Sequence, residues 1–195
     1  LERGQTREAF VADLQSAAAI GSRYGDVTEA LVFPRGQDNP RYRSALRSAG
    51  VRTIRTPPSF FPYRARRAGE ERLAHRGLRI LDSYLPLGGS YGDEVRVEAD
   101  GLVPLAAGPF LRPYSPRLRR LQPIRMRRLK NAMQDAGRRG HDFHLWWHPH
   151  NFGTHTRENL EILRDLLGEY RVLRERYAWP SRNMGEVARE AVGPS

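Results

Sequence analysis

Residues 141–153, His-Asp-Phe-His-Leu-Trp-Trp-His-Pro-His-Asn-Phe-Gly, constrain this chain more than any other stretch. Phe143, Leu145 and Trp147 alternate with His144, Trp146 and His148, the period of two that a strand requires. Pro149 removes a ladder donor, so the spacing predicts a buried strand that ends there and enters a polar loop. Four of the chain's six histidines, at 141, 144, 148 and 150, fall in this stretch, and His155 follows. Imidazoles gathered at the end of an apolar strand suit an α/β site, where functional side chains emerge at strand C-termini. Any one of His141, His150 and His155 could equally be a satisfied structural group. His148 is the stronger candidate because it closes the aromatic run just before the forced turn. No zinc motif of fixed spacing is present, and there is no cysteine to complete one.

Upstream, the pattern alternates short strands with helices. Thr6 caps a helix with Phe10, Leu14, Ala17 and Ala18 on one face, and Gly21 and Gly25 mark its end. Residues 30–33 form a short apolar strand stopped by Pro34. Asn39 before Pro40 reads as an N-cap followed by proline at the first helical position, and that helix runs to Ala49 and closes at Gly50. Residues 51–55 then alternate as the next strand. Strand, helix, strand is the signature of a parallel sheet or barrel.

Beyond Pro57-Pro58, the aromatics Phe60, Phe61 and Tyr63 sit on a loop, where they could stack on sugar rings or tuck onto the core. Residues 67–87 have a helical pattern, with Asp82 set for pairing or surface exposure rather than catalysis. A Gly- and acid-rich loop follows at 88–101, with a small hairpin expected at 94–98. Residues 102–105 and 109–112 suggest a broken strand and its loop. A helix over 116–138 should bury Leu118, Leu121, Met126, Leu129 and Met133, and Gly137 and Gly140 should stop it. After the His-rich strand, Thr154 or Thr156 caps a helix whose buried face is Leu160, Leu163, Leu167 and Tyr170. A short last helix lies near 184–191.

Arg35 directly follows the first strand, at the C-terminal end where functional side chains of a parallel sheet emerge. The net charge of +11 comes almost entirely from arginine, with Lys130 the only lysine. Arginine is scattered over every helix, and its densest runs carry few aromatics that could stack bases, which argues against nucleic acid as the partner. Such a surface also suits an anionic glycan. No apolar run is long enough to span a bilayer.

Three pieces together resemble one family. His144-Leu-Trp-Trp-His-Pro-His-Asn-Phe-Gly153 with Asn183-Met-Gly-Glu-Val187, the segment Val32-Phe-Pro-Arg-Gly-Gln-Asp-Asn-Pro-Arg-Tyr42, and the opening Leu1-Glu-Arg-Gly-Gln-Thr6 are similar to the C-terminal portion of polysaccharide deacetylases of the NodB-homology type. The resemblance implies an irregular (β/α) barrel of seven strands, here a single domain over 1–195 with its N-terminal repeats missing. It implies metal-dependent hydrolysis of N-acetyl groups from a carbohydrate. It also implies a divalent metal, zinc or similar, whose ligands lie outside this chain, together with a catalytic Asp. His148 would protonate the leaving amine, Arg35 would orient the catalytic carboxylate, and Trp146, His150 and Asn151 would contact the substrate. The family has Arg, Pro and an aromatic where this chain has Arg35-Gly-Gln-Asp-Asn-Pro40. A deacetylase-like domain that binds glycan without turnover is the alternative. A basic nucleic-acid-binding protein is a more distant one.

Overall fold

The structure is a computed structural model, and it describes residues 6–25, 28–36, 38–58, 73–85, 87 and 92–193. The chain divides into two compact units. One comprises residues 1–57, 95–105 and 182–195, and the other residues 58–94 and 106–181.

The first unit holds the strand–helix–strand element expected from the sequence. Helix α1 (Arg7–Ser22) starts where the Thr6 side chain accepts from the Ala9 N–H. Phe10 and Leu14 are buried, whereas Ala17 is exposed. Strand β1 (Ala30–Leu31) is followed by a 3-10 turn (Pro34–Gly36) and helix α2 (Pro40–Ser48). The Asn39 side chain accepts from the Arg41 N–H, which is the expected cap. Strand β2 (Thr53–Thr56) pairs parallel with β1, and β4 (Val103–Ala106) lies on its other side, in the order β1-β2-β4. Phe10, Leu14, Phe33, Tyr42, Leu46, Val51, Ile54 and Leu102 form one core. Phe10 meets the Tyr42 ring edge-on at 4.9 Å, a favoured aromatic geometry.

Helix α7 (Met184–Val192) carries a full capping box between Asn183 and Glu186, so two orphan N–H groups are satisfied reciprocally. It buries Val187 and Ala188 against Val103 and Leu105. The polar side of this unit is tied by Arg43, whose guanidinium pairs with Asp38 at 2.5 Å, with Asp100 at 3.2 Å and with Glu98. The Asp38 carboxylate is the main cause that holds the Arg43 charge on more firmly than usual.

In the second unit, helix α3 (Leu73–Asp82) precedes strand β3 (Gly92–Asp93), which pairs antiparallel with β5 (Asp142–Phe143). The aromatic loop expected at Phe60, Phe61 and Tyr63 lies outside the described residues. No hairpin forms at 94–98. The backbone turns instead at 98–102, where Gly101 N–H donates to the Glu98 carbonyl and Glu98 N–H to that of Leu102. This turn is closed by the Asp100 carboxylate accepting from Leu102 N–H, and residues 92–93 pair with a distant strand rather than with their neighbours.

The expected helix over 116–138 is two elements: a 3-10 segment (Pro116–Leu121) and helix α4 (Gln122–Arg139), ended by Gly140 at φ +70. Met126, Leu129 and Met133 are buried as expected, but Leu118 and Leu121 are 43% and 40% exposed. Leu118 sits at φ −109, ψ 15, off helical values, so its stripe is not in phase with that of α4. Helix α6 (Thr156–Tyr177) packs on α4 through Ile162, Leu166 and Leu173. Lys130 to Asp165 and Gln134 to Glu169, each 2.7 Å, ascend together, so the two helices run in the same direction. Of the expected buried face of α6, Leu163 and Tyr170 pack half-buried against the core, whereas Leu160 and Leu167 are 46% and 55% exposed and the fully buried positions are Asn159, Ile162, Leu166 and Leu173. Buried Asn159 leads the true face. Its amide donates to the Thr154 carbonyl at 2.8 Å and its oxygen accepts from Tyr114 N–H at 2.6 Å, which makes a polar residue part of the packed side. Neither Thr154 nor Thr156 caps α6; His155 stands at the N-cap in the left-handed region. Among the described residues the five strands form one three-stranded and one two-stranded sheet, and no helix is long and apolar enough to cross a membrane.

Candidate functional site

Two chain segments of the second unit build the site. Residues 106–112 run beside residues 142–148, joined by Gly108 N–H to the His144 carbonyl at 3.0 Å and Leu111 N–H to the Trp146 carbonyl at 2.9 Å. Phe110 and Trp146 form an isolated parallel bridge. The regular strand is therefore shorter than the alternation predicts. Only Asp142–Phe143 is a strand, residues 141–146 are half-buried, and Trp147 and His148 are exposed. A neighbour covers only part of the length, so the alternation outlasts the ladder. Pro149 does not merely end the strand; it opens a short helix, α5 (Pro149–Phe152), with His148 at its N-cap, the place where a missing N–H is harmless.

The segment orders a ledge of rings. The indole N–H of Trp146 donates to the Gly108 carbonyl at 3.1 Å. The Trp146 ring meets Phe110 at 4.6 Å and His148 at 5.5 Å, nearly perpendicular to the latter. Phe110 also lies 5.5 Å from His148. The His148 and His150 imidazoles stack at 5.2 Å with 20° between their planes. Both imidazoles are exposed while Trp146 and Phe110 are half-buried, so packed carbon supports accessible nitrogen.

Trp146, His148 and His150 are thus brought together, and Asn151 follows on α5, its N–H donating to the His148 carbonyl at 3.0 Å. Arg35 belongs to the other unit, within the turn Pro34–Gly36; the expectation for its side chain lies outside the described residues. His155 stands apart from the ledge, edge-on to Tyr114 at 5.5 Å. Asp82 has the pairing role expected of it: fully buried, it accepts from Arg128 at 2.8 Å.

Phe110 and Gly108 complete the ledge and are not singled out by sequence reasoning. An ideal Cβ on Gly108 would lie inside any real Cβ contact with the His144 carbonyl oxygen, and 3.0 Å from its carbon, so only glycine admits this approach. A glycine before Pro109-Phe110 was the available signal, but its partner is 36 residues away.

Among the described residues no group of three or more His, Cys, Asp or Glu side chains could hold a metal ion. Comparison of the chain with protein-family models, curated proteins and solved structures finds no match.

Proposed function

We propose that this chain is the C-terminal portion of a polysaccharide deacetylase, acting on N-acetyl groups of a carbohydrate within a seven-stranded (β/α) barrel. The metal ligands and the catalytic Asp would come from residues outside this sequence. The observation that carries the reading is the ring ledge Phe110–Trp146–His148–His150. A sugar presents an apolar C–H face and hydroxyl edges. Half-buried aromatic carbon beside exposed imidazole nitrogen complements both, as aromatic bodies with polar tips do elsewhere. As the amide C–N bond breaks, the departing nitrogen needs a proton. His148 is exposed at the ledge, and imidazole is suited to deliver one near neutral pH. Trp146, held through its indole N–H, orients the ring against which the sugar rests. His150 and Asn151 offer further contacts along α5, and Arg35 is the candidate to orient a carboxylate.

The test has two arms. Chitin oligomers titrated into the chain should quench tryptophan emission, and Trp146→Ala should abolish most of that response. In the gene product that includes the preceding segment, His148→Ala should lower acetate release by about 10²–10⁴-fold, the usual contribution of a general acid, with metal content unchanged. Turnover near wild type would remove His148 from the role of acid. The second reading is a glycan-binding domain without catalysis, which the exposed ring ledge would serve equally. Oligomer binding without acetate release from the longer product would select it.

A further inference from the structure

Residues 116–127 combine two features that rarely share a surface. Leu118, Leu121 and Ile124 are 43%, 40% and 49% exposed, spaced every third residue from the 3-10 segment into the first turn of α4. Arg117, Arg119, Arg120 and Arg127 are exposed among them. The other side of the same helix is already occupied, with Met126, Leu129 and Met133 in the core, and Arg128, one turn beyond Ile124, is spent on buried Asp82. From Gly101 to Gln134 the sequence contains no Asp or Glu, so nothing within the stretch neutralises this charge.

We infer that the Pro116–Leu121 segment and the first turn of α4 form a docking surface for an anionic lipid bilayer. Aliphatic side chains gain by entering the acyl boundary, while arginines beside them reach back to lipid phosphates. Each exposed arginine adds attraction to an anionic leaflet. A nucleic-acid surface would use aromatic rings between its cations; residues 117–127 contain none, and bare leucine gains nothing from phosphate. The patch is peripheral, in keeping with the absence of a spanning helix among the described residues. It stands independently of the ring ledge.

Co-sedimentation with vesicles of phosphatidylglycerol and phosphatidylcholine tests this, with phosphatidylcholine alone as the control. The chain should bind the mixed vesicles and bind the neutral ones far more weakly. Replacing Arg117, Arg119 and Arg120 by Gln should weaken binding about fivefold per arginine, the effect of one charge near a lipid surface. Leu118→Ser with Leu121→Ser and Ile124→Ser should weaken it about tenfold or more, through lost apolar transfer. Because the chain has no cysteine, Ile124→Cys gives a single labelling site, and an environment-sensitive dye there should shift to the blue on mixed vesicles. Two results would overturn the inference: no binding to the mixed vesicles, or wild-type binding by the triple-serine variant together with an unshifted dye on the separate Ile124→Cys chain. The second would make the patch a site for polyanions such as RNA.

Discussion

Gly108→Ala is the sharpest perturbation the ledge permits. The added methyl would meet the His144 carbonyl, with the carbonyl carbon at 3.0 Å and the His144 nitrogen at 3.3 Å. All three atoms are backbone, so no flexible side chain can swing away; one of the two segments must move. Two hydrogen bonds span the same gap, Gly108 N–H to His144 at 3.0 Å and the Trp146 indole to Gly108 at 3.1 Å. Overpacking of this kind costs about 1–3 kcal/mol, and each weakened hydrogen bond adds about 0.5–1.5 kcal/mol. A total loss of about 2–6 kcal/mol follows, a large part of a typical net stability of about 5–15 kcal/mol. Urea denaturation followed by circular dichroism measures it. The released indole should also shift tryptophan emission toward that of water-exposed rings. Gly168→Ala is the control, since helix α6 has nothing within 4 Å of that position. It should stabilise by up to about 1 kcal/mol through helix propensity. A Gly108→Ala chain within about 0.5 kcal/mol of wild type, a margin typical of inert surface changes, would refute the claim that this approach holds the ledge together.

Two further predictions concern charge. Helix α4 buries two arginines a turn apart. Arg128 has Asp82, whereas Arg125 has its Nε and Nη2 without a hydrogen-bond partner and makes one long contact to the Pro113 carbonyl at 3.5 Å. Burial pulls the Arg125 guanidinium below its ordinary value. Arg128→Met should therefore destabilise by about 3–5 kcal/mol, because it strands a buried carboxylate. Arg125→Met should instead stabilise by about 1–3 kcal/mol by removing an unsatisfied buried donor. Urea midpoints of the two variants with the same sign of change would contradict the contrast. At the start of α1, the Glu8 carboxyl is held below its ordinary value, first by a backbone N–H and then by the Thr6 hydroxyl. A lowered folded value means its contribution is present above the unfolded value and lost as pH falls through the folded one. Amide protection factors in the first turn of α1, taken relative to the intrinsic exchange rate at each pH, should fall on acidification below the ordinary glutamate range, and less so in Glu8→Gln.

Local chemistry was legible in the sequence wherever a residue acts on its immediate neighbours. The caps at Thr6 and Asn39, the β1-α2-β2 unit and the α4 core of Met126, Leu129 and Met133 all follow from patterns within a few residues. Such features are decided by short-range hydrogen bonds and by helical spacing, which a sequence displays directly. The histidine and tryptophan candidates were legible too, by residue type. Their arrangement was not. Trp146 is placed by Gly108 and Phe110, more than thirty residues earlier, and the alternation of residues 143–148 does not reveal that the ladder stops after Phe143. The buried face of α6 turned on Asn159, whose amide is satisfied by Thr154 and Tyr114; a polar residue enters a core only when distant partners complete its hydrogen bonds. The exposure of Leu118 and Leu121 was likewise settled by a break in helical phase. Side-chain type and local backbone preference are written in the chain, whereas burial and contact geometry are properties of which segments meet.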